Sequence, residues 1–284
     1  GPDADPEVEK QPEVVIPRIE KVVGERPFKL DWVSVYSFNC RRIDRFIHDR
    51  VIFVGDSAHV VSPFGARGGN GGMHDVDNLC WKLARVVRGE SDGALLESYN
   101  DERIHGADEN ISNSSWTSRF MSPEPGVETA FRNAALSLAV DTPFARRLVN
   151  AGRLSVPCRL TGSALNSADQ DRFEVSQQIG MVALDAPLTA ADGSATWLMR
   201  QLGGAFTCLV TGDAMLDEAT LPDDVKIVRI GQGGFADAEG KIAERYGSGV
   251  YLVRPDQHVT ARWAHPSADD IAAALARCTA RIAA

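Results

Sequence analysis

The clearest pattern of apolar and polar positions lies toward the C-terminus. Phe206–Val210, Val225–Ile230, Val250–Val253 and Val259–Trp263 are short apolar, β-branched runs separated by polar connections, which predicts four strands. Arg254-Pro255-Asp256-Gln257-His258 joins the last two as a turn, so they are expected to pair as a hairpin. Trp197–Leu202, Phe235–Tyr246 and Ser267–Ala284 are expected to be helical, completing a compact α/β alternation. Upstream, residues 12–25 predict a short helix leading into a strand, and the alternation across Phe28–Phe38 predicts a strand whose partner sheet is not visible in the chain. Val51-Ile52-Phe53-Val54-Gly55-Asp56 reads as a strand buried on both faces of a parallel sheet. A loop with Gly65, Gly68, Gly69, Gly71 and Gly72 follows. A helix is then expected from about Asp75 to Arg88, with Leu79, Leu83 and Val86 on one stripe and Gly89 to stop it.

Residues 93–160 read as mainly helical through Leu95–Arg103, Phe131–Val140 and Pro143–Leu154, with breaks at Ser122–Pro125 and Asp141–Pro143. They show no constellation of chemical groups. Ser163–Asp171 is small and polar, a candidate linker. The expected division is therefore residues 1–48, 49–165 and 172–284.

Composition narrows the function classes. The chain has 284 residues, 44% hydrophobic and 24% charged, which is enough for two modest domains with real cores. A net charge of −9 without a basic block argues against nucleic acid or an anionic membrane surface as a partner. Cys40, Cys80, Cys158, Cys208 and Cys278 are scattered and odd in number, without CxxC or zinc spacing, so reduced thiols in a cytoplasmic protein are expected and no metal site. Nothing resembles a signal peptide or a membrane span. The polar opening, with Gly1-Pro2 followed by Asp3, Asp5 and Glu7, is read as a chain that begins mid-protein.

A Gly-Asp at a strand end, then a glycine-rich stretch and a helix N-terminus, offers backbone N–H donors and one fixed carboxylate, the makings of a nucleotide or cofactor edge. Gly-Asp alone is equally a structural turn. The longer stretch is more specific. Gly55-Asp56-Ser57-Ala58-His59, Pro63-Phe64-Gly65-Ala66-Arg67-Gly68-Gly69-Asn70, Asp75 and Asn78-Leu79-Cys80-Trp81-Lys82-Leu83 together resemble the second FAD signature of the class A flavoprotein monooxygenases, the family of para-hydroxybenzoate and phenol hydroxylases.

That resemblance implies a partial FAD-binding, Rossmann-like monooxygenase fold with a helical connector, followed by a thioredoxin-like α/β domain. It implies that Asp56 accepts a hydrogen bond from a ribityl hydroxyl of FAD. Gly68, Gly69 and Asn70 would bring main-chain N–H groups to the pyrimidine edge of the flavin, and Pro63, with Phe64, would sit beside the ring. His59 would be a structural hydrogen-bonding residue, and Arg41 and Arg42 are expected in salt bridges. NAD(P)H would reduce FAD, O2 would react with the reduced flavin, and one oxygen atom would reach a small aromatic, phenolic substrate. A related flavin oxidoreductase, such as a reductase or halogenase, is the second enzyme reading. A non-catalytic module in which the thioredoxin-like domain mediates oligomerisation, a homodimer among the options, is a third.

The sequence departs from the family in lacking a strand–GxGxxG–helix unit, for which Gly231-Gln232-Gly233-Gly234 is no substitute. The ADP half of the site is thus expected elsewhere, and the chain alone should bind FAD weakly or not at all. Thr211-Gly212-Asp213-Ala214 stands where a redox thioredoxin needs CxxC, so dithiol exchange is not expected.

Overall fold

The computed structural model describes residues 4–149, 157–218, 221–222 and 225–280. Two short helices, α1 (Pro6–Glu9) and α2 (Pro12–Val23), begin this part of the chain. Two-residue strands follow: β1 (Arg41–Arg42), β2 (Ile47–His48), β3 (Val51–Ile52) and β4 (His59–Val60), with β1 paired to β4 and β2 to β3, both antiparallel. Then come the helices α3 (Arg67–Val87), α4 (Ala94–Met121), α5 (Val127–Asp141) and α6 (Pro143–Val149). The remainder holds β5 (Pro187–Thr189), β6 (Ala195–Trp197), β7 (Phe206–Thr211), β8 (Val225–Ile230), β9 (Ala236–Asp237), α7 (Lys241–Tyr246), β10 (Gly249–Val253), β11 (Val259–Trp263) and α8 (Ala268–Thr279).

The main sheet has the order β11-β10-β7-β8, with β7 and β8 parallel and the other two pairs antiparallel. Every residue of β7, β10 and β11 is buried, because layers cover both faces. Successive side chains point to opposite faces. Cys208, Val210, Val250 and Leu252 meet α8 through Ile271, Ala274 and Leu275, whereas Leu209, Tyr251 and Val253 meet Leu188, Leu198, Ile242 and Tyr246. A third core, under β2 and β3, joins Phe46, Ile47, Ala58, Leu79, Tyr99 and Ala107.

Several expectations change. Phe28–Phe38 pairs with no strand among the described residues, and Trp32, Tyr36 and Phe38 are exposed; alternation prepares a strand, but only a partner's backbone completes one. Val51–Asp56 is not a buried parallel strand. Only Val51 and Ile52 pair, antiparallel to β2 across a tight turn in which Asp49 has φ 51°, and Val51 is exposed. The glycine-rich stretch is not a loop: α3 starts at Arg67, so Gly68 to Gly72 form its first turns. Trp197–Leu202 and Phe235–Tyr246 each contain a strand residue or two ahead of a shorter helix, in keeping with their aromatic openings. Ser163–Asp171 is packed rather than free, with Leu165 buried in the main-sheet core and Asp169 paired with Arg262 at 2.7 Å. The ends of the predicted helices at 150–154 and 281–284 lie outside the described residues. No helix among the described residues is long and apolar enough to cross a membrane.

Candidate functional site

The candidate site is built where the short 3-10 turn Gly55–Ser57 meets the N-terminus of α3. Gly55 has φ 57°, a conformation that costs glycine nothing, and a Cβ on Gly72 would lie 3.3 Å from the Gly55 Cα. The two backbones therefore touch, which sets Asp56 beside the first turns of α3. Gly71 is tight for a related reason: a Cβ there would lie 3.0 Å from the Cε1 of His59.

Gly68 and Gly69 differ. Neither has positive φ, a Cβ on Gly68 would make only ordinary contact with Val61 at 3.7 Å, and one on Gly69 would meet nothing within 4 Å. Fold packing does not demand glycine at these positions, although glycine weakens a helix relative to alanine by up to about 1 kcal/mol. Ala66 opens α3 in the left-handed region without a side-chain cap, leaving first-turn N–H groups without helical partners. Asn70 turns its side-chain amide back to the Ala66 carbonyl at 2.6 Å, within the first turn of α3. Asp56 is exposed and makes no hydrogen bond or ion pair among the described residues. Pro63 and Phe64 are exposed beside Ser62, whose hydroxyl bonds Ser114 and Ser118 on α4.

Beneath this rim sits a carboxylate that sequence reasoning matched to a motif but gave no task. Asp75 is fully buried and accepts from the Gly55 N–H at 2.8 Å, His59 Nε2 at 2.8 Å and Arg103 Nε at 2.7 Å. Burial pushes its carboxyl up, but the hydrogen bond from His59 and the Arg103 charge outweigh that and hold it below the usual range. A carboxylate can only accept, so His59 Nε2 carries the hydrogen. The His59 ring is buried and stacks on Phe46 with centroids 5.8 Å apart. Asp75→Asn keeps the shape but removes the charge facing Arg103. It should cost about 2 kcal/mol in urea unfolding, the scale of a hydrogen bond to a charged group.

Arg42 pairs with Asp108 at 2.6 Å, while Arg67 donates to the Asn110 side chain at 3.2 Å. His74 is half-buried, and burial pushes it down to about 4, which keeps it neutral near pH 7. Arg103 and Asn110 were missed in the sequence because they lie on α4, whose length hides which face meets α3. The available signal was polar Asp75, Asn78 and Lys82 on the same stripe of an otherwise amphipathic helix. Among the described residues no His, Cys, Asp and Glu cluster could hold a metal.

Residues 2–114 match a family model described as an FAD binding domain. The chain is 36% identical over 128 residues to a 3-(3-hydroxy-phenyl)propionate/3-hydroxycinnamic acid hydroxylase of Comamonas testosteroni, covering 44% of this chain and 22% of the relative. It is 29% identical over 178 residues to the enzyme of that name from Escherichia coli K12, covering 63% and 32%. The crystal structure of the flavin-dependent monooxygenase PieE, in complex with FAD and substrate, superposes with a TM-score of 0.75 at 25% identity, over 98% of this chain and 56% of that one. The chain thus spans a third or less of the curated relatives and about half of the matched structure. Residues 2–114 thus carry the match to an FAD binding domain, and the chain is similar to FAD-dependent aromatic hydroxylases.

Proposed function

We propose that this chain supplies the ribityl and isoalloxazine side of the FAD site in an enzyme that hydroxylates a phenolic substrate with NAD(P)H and O2. The observation that carries the proposal is an exposed helix N-terminus with two glycines that packing does not require, set beside an unpaired Asp56. Bound FAD would supply the electron transfer and oxygen activation. Asp56 would accept a hydrogen bond from a ribityl hydroxyl. The N–H groups of Gly68, Gly69 and Asn70, with the positive end of α3, would offset negative charge at the pyrimidine edge of the reduced cofactor. Pro63 would bound the ring face and help exclude water. The GxGxxG unit for the ADP half is absent from this sequence, so FAD affinity of the chain by itself is expected to be weak.

For the C-terminal sheet we propose a thioredoxin-like fold. The order β11-β10-β7-β8, with one parallel and two antiparallel pairs, supports it. Redox activity is not part of the proposal: Thr211-Gly212-Asp213-Ala214 follows β7, and burial pushes the Cys208 thiol up to about 12.

Fluorescence titration with FAD tests the reading. Asp56→Ala should weaken binding about tenfold or more, the value of a hydrogen bond to a charged acceptor. Gly69→Ala should raise thermal stability, by up to about 1 kcal/mol, while weakening FAD. If both variants bind FAD like the parent chain, the assigned edge is wrong.

A further inference from the structure

The Arg254-Pro255-Asp256 turn, read from sequence only as a hairpin connection, carries two charged side chains that are fully buried. Asp256 accepts from the His258 N–H within the turn at 3.4 Å, but most of their contacts reach beyond the sheet. Arg254 Nη1 and Nη2 donate to both oxygens of Glu102 on α4, at 2.7 and 2.9 Å, while its Nε donates to Asp256 at 2.9 Å. Asp256 in turn accepts from Trp81 Nε1 at 3.0 Å and from the Asn78 amide at 3.3 Å, both on α3. Glu102 also accepts from Asn78 at 2.6 Å and from Lys82 at 2.7 Å. Two cations and two anions thus form a neutral cluster fed by three elements, and its members are buried.

The cluster continues toward the candidate site. Asn78 is one helical turn beyond Asp75 on the same buried stripe of α3, and Glu102 is the neighbour of Arg103, which holds Asp75. Asp75 holds the Gly55 N–H, one residue before Asp56. The geometry points to a positioning role for the C-terminal sheet: through Arg254 and Asp256 it clamps α3 against α4 and so fixes the α3 N-terminus relative to Asp56. A bidentate guanidinium suits this task, because both its angle and its distance are set by two parallel hydrogen bonds. The clamp itself is independent of the flavin proposal; its consequence for FAD rests on that proposal.

Hydrogen exchange resolved along the full chain tests the clamp without any flavin. Asp256→Asn and Arg254→Lys should each speed exchange at least about tenfold through α3, including the turn that contains Gly71–Asp75, while the β7 and β10 amides stay protected. Glu218→Gln, which removes an exposed pair with Arg229 on the C-terminal sheet, should leave α3 unchanged. Should the single variants not fold, the double variant Glu102→Gln with Arg254→Met keeps the cluster neutral through Lys82 and Asp256, and the same acceleration is expected there. Faster exchange confined to residues 254–258 and 78–82, with Gly71–Asp75 unchanged, would overturn the clamp. FAD titration of the same variants then separates the two ideas: faster α3 exchange with unchanged FAD affinity keeps the clamp and sinks the flavin edge.

Discussion

Glu102→Ala is expected to lower the unfolding free energy by about 3–5 kcal/mol, the cost of breaking a buried ion pair from one side. The carboxylate accepts from Asn78, Lys82, Arg254 and Ser163 in a site closed to water. Removing it leaves part of the Arg254 guanidinium without its acceptor and the Lys82 ammonium with only the neutral Asn78 oxygen at 2.8 Å, and neither can reach solvent. The damage is that of unpaired charge rather than lost attraction. An exposed pair makes the comparison: Arg45 and Glu97 lie 2.6 Å apart with side chains 47% and 51% exposed, so Glu97→Ala should cost about 1 kcal/mol or less. Urea unfolding followed by circular dichroism measures both. Equal costs for Glu102→Ala and Glu97→Ala would mean that Glu102 does not carry this load.

Acid should unfold the protein through the same group and its neighbours. Burial pushes the carboxyls of Glu102, Asp256 and Asp75 up, but facing charges and hydrogen bonds outweigh it: Arg254 and Lys82 for Glu102, Arg254 for Asp256, and the His59 hydrogen bond with the Arg103 charge for Asp75. All three are held below their ordinary values of 4.5, 3.8 and 3.8. A carboxyl depressed in the folded state contributes stability that is complete above the unfolded value and is lost as pH falls from there toward the folded one. Stability should therefore begin to fall below pH 6.5, where His74 takes up a proton in the unfolded chain before it does in the folded one, and drop steeply below pH 4.5, the unfolded value for Glu102.

Lys82 adds a second rise of stability with pH at the alkaline end, but there it is a cost being relieved rather than a gain being completed. Burial pushes it down to about 8 from an ordinary 10.5, so the cost of its charge is present below about 8 and relieved as pH rises toward 10.5. Glu102 benefits from two cations, while Lys82 shares its surroundings with the Arg254 charge, which is why the partners differ. A urea midpoint series across pH, repeated with Glu102→Gln, checks the assignment. If the variant retains the full acid dependence of the parent, other groups cause it.

Much of the fold could be read from the chain because the relevant forces are local. β7, β8, β10 and β11 occur where short apolar runs predicted them, since covered sheets select continuous β-branched runs whatever their order in space. Gly89, with φ 72°, ends α3 as its position suggested. The motif also singled out Asp56, Gly68, Gly69 and Asn70, which the structure gathers at one turn and one helix start.

Other features depend on neighbours distant in sequence. Five glycines in eight positions read as loop, because glycine is a poor helix former; α3 runs through four of them since Gly71 and Gly72 allow it to press on His59 and Gly55. Alternation across Phe28–Phe38 specified two faces but no partner, so no ladder forms among the described residues. Sequence by itself determined the apolar periods, the turn chemistry and the residue types of the candidate flavin edge, because each depends on a few adjacent residues. Only the tertiary structure decided that Asp75 serves Gly55, and that Arg254 and Asp256, more than 150 positions beyond Glu102 and Asn78, close the same buried cluster. The physical reason is burial: an ionised group removed from water must find its counter-charge wherever the chain brings one, and no local pattern records which partner that will be.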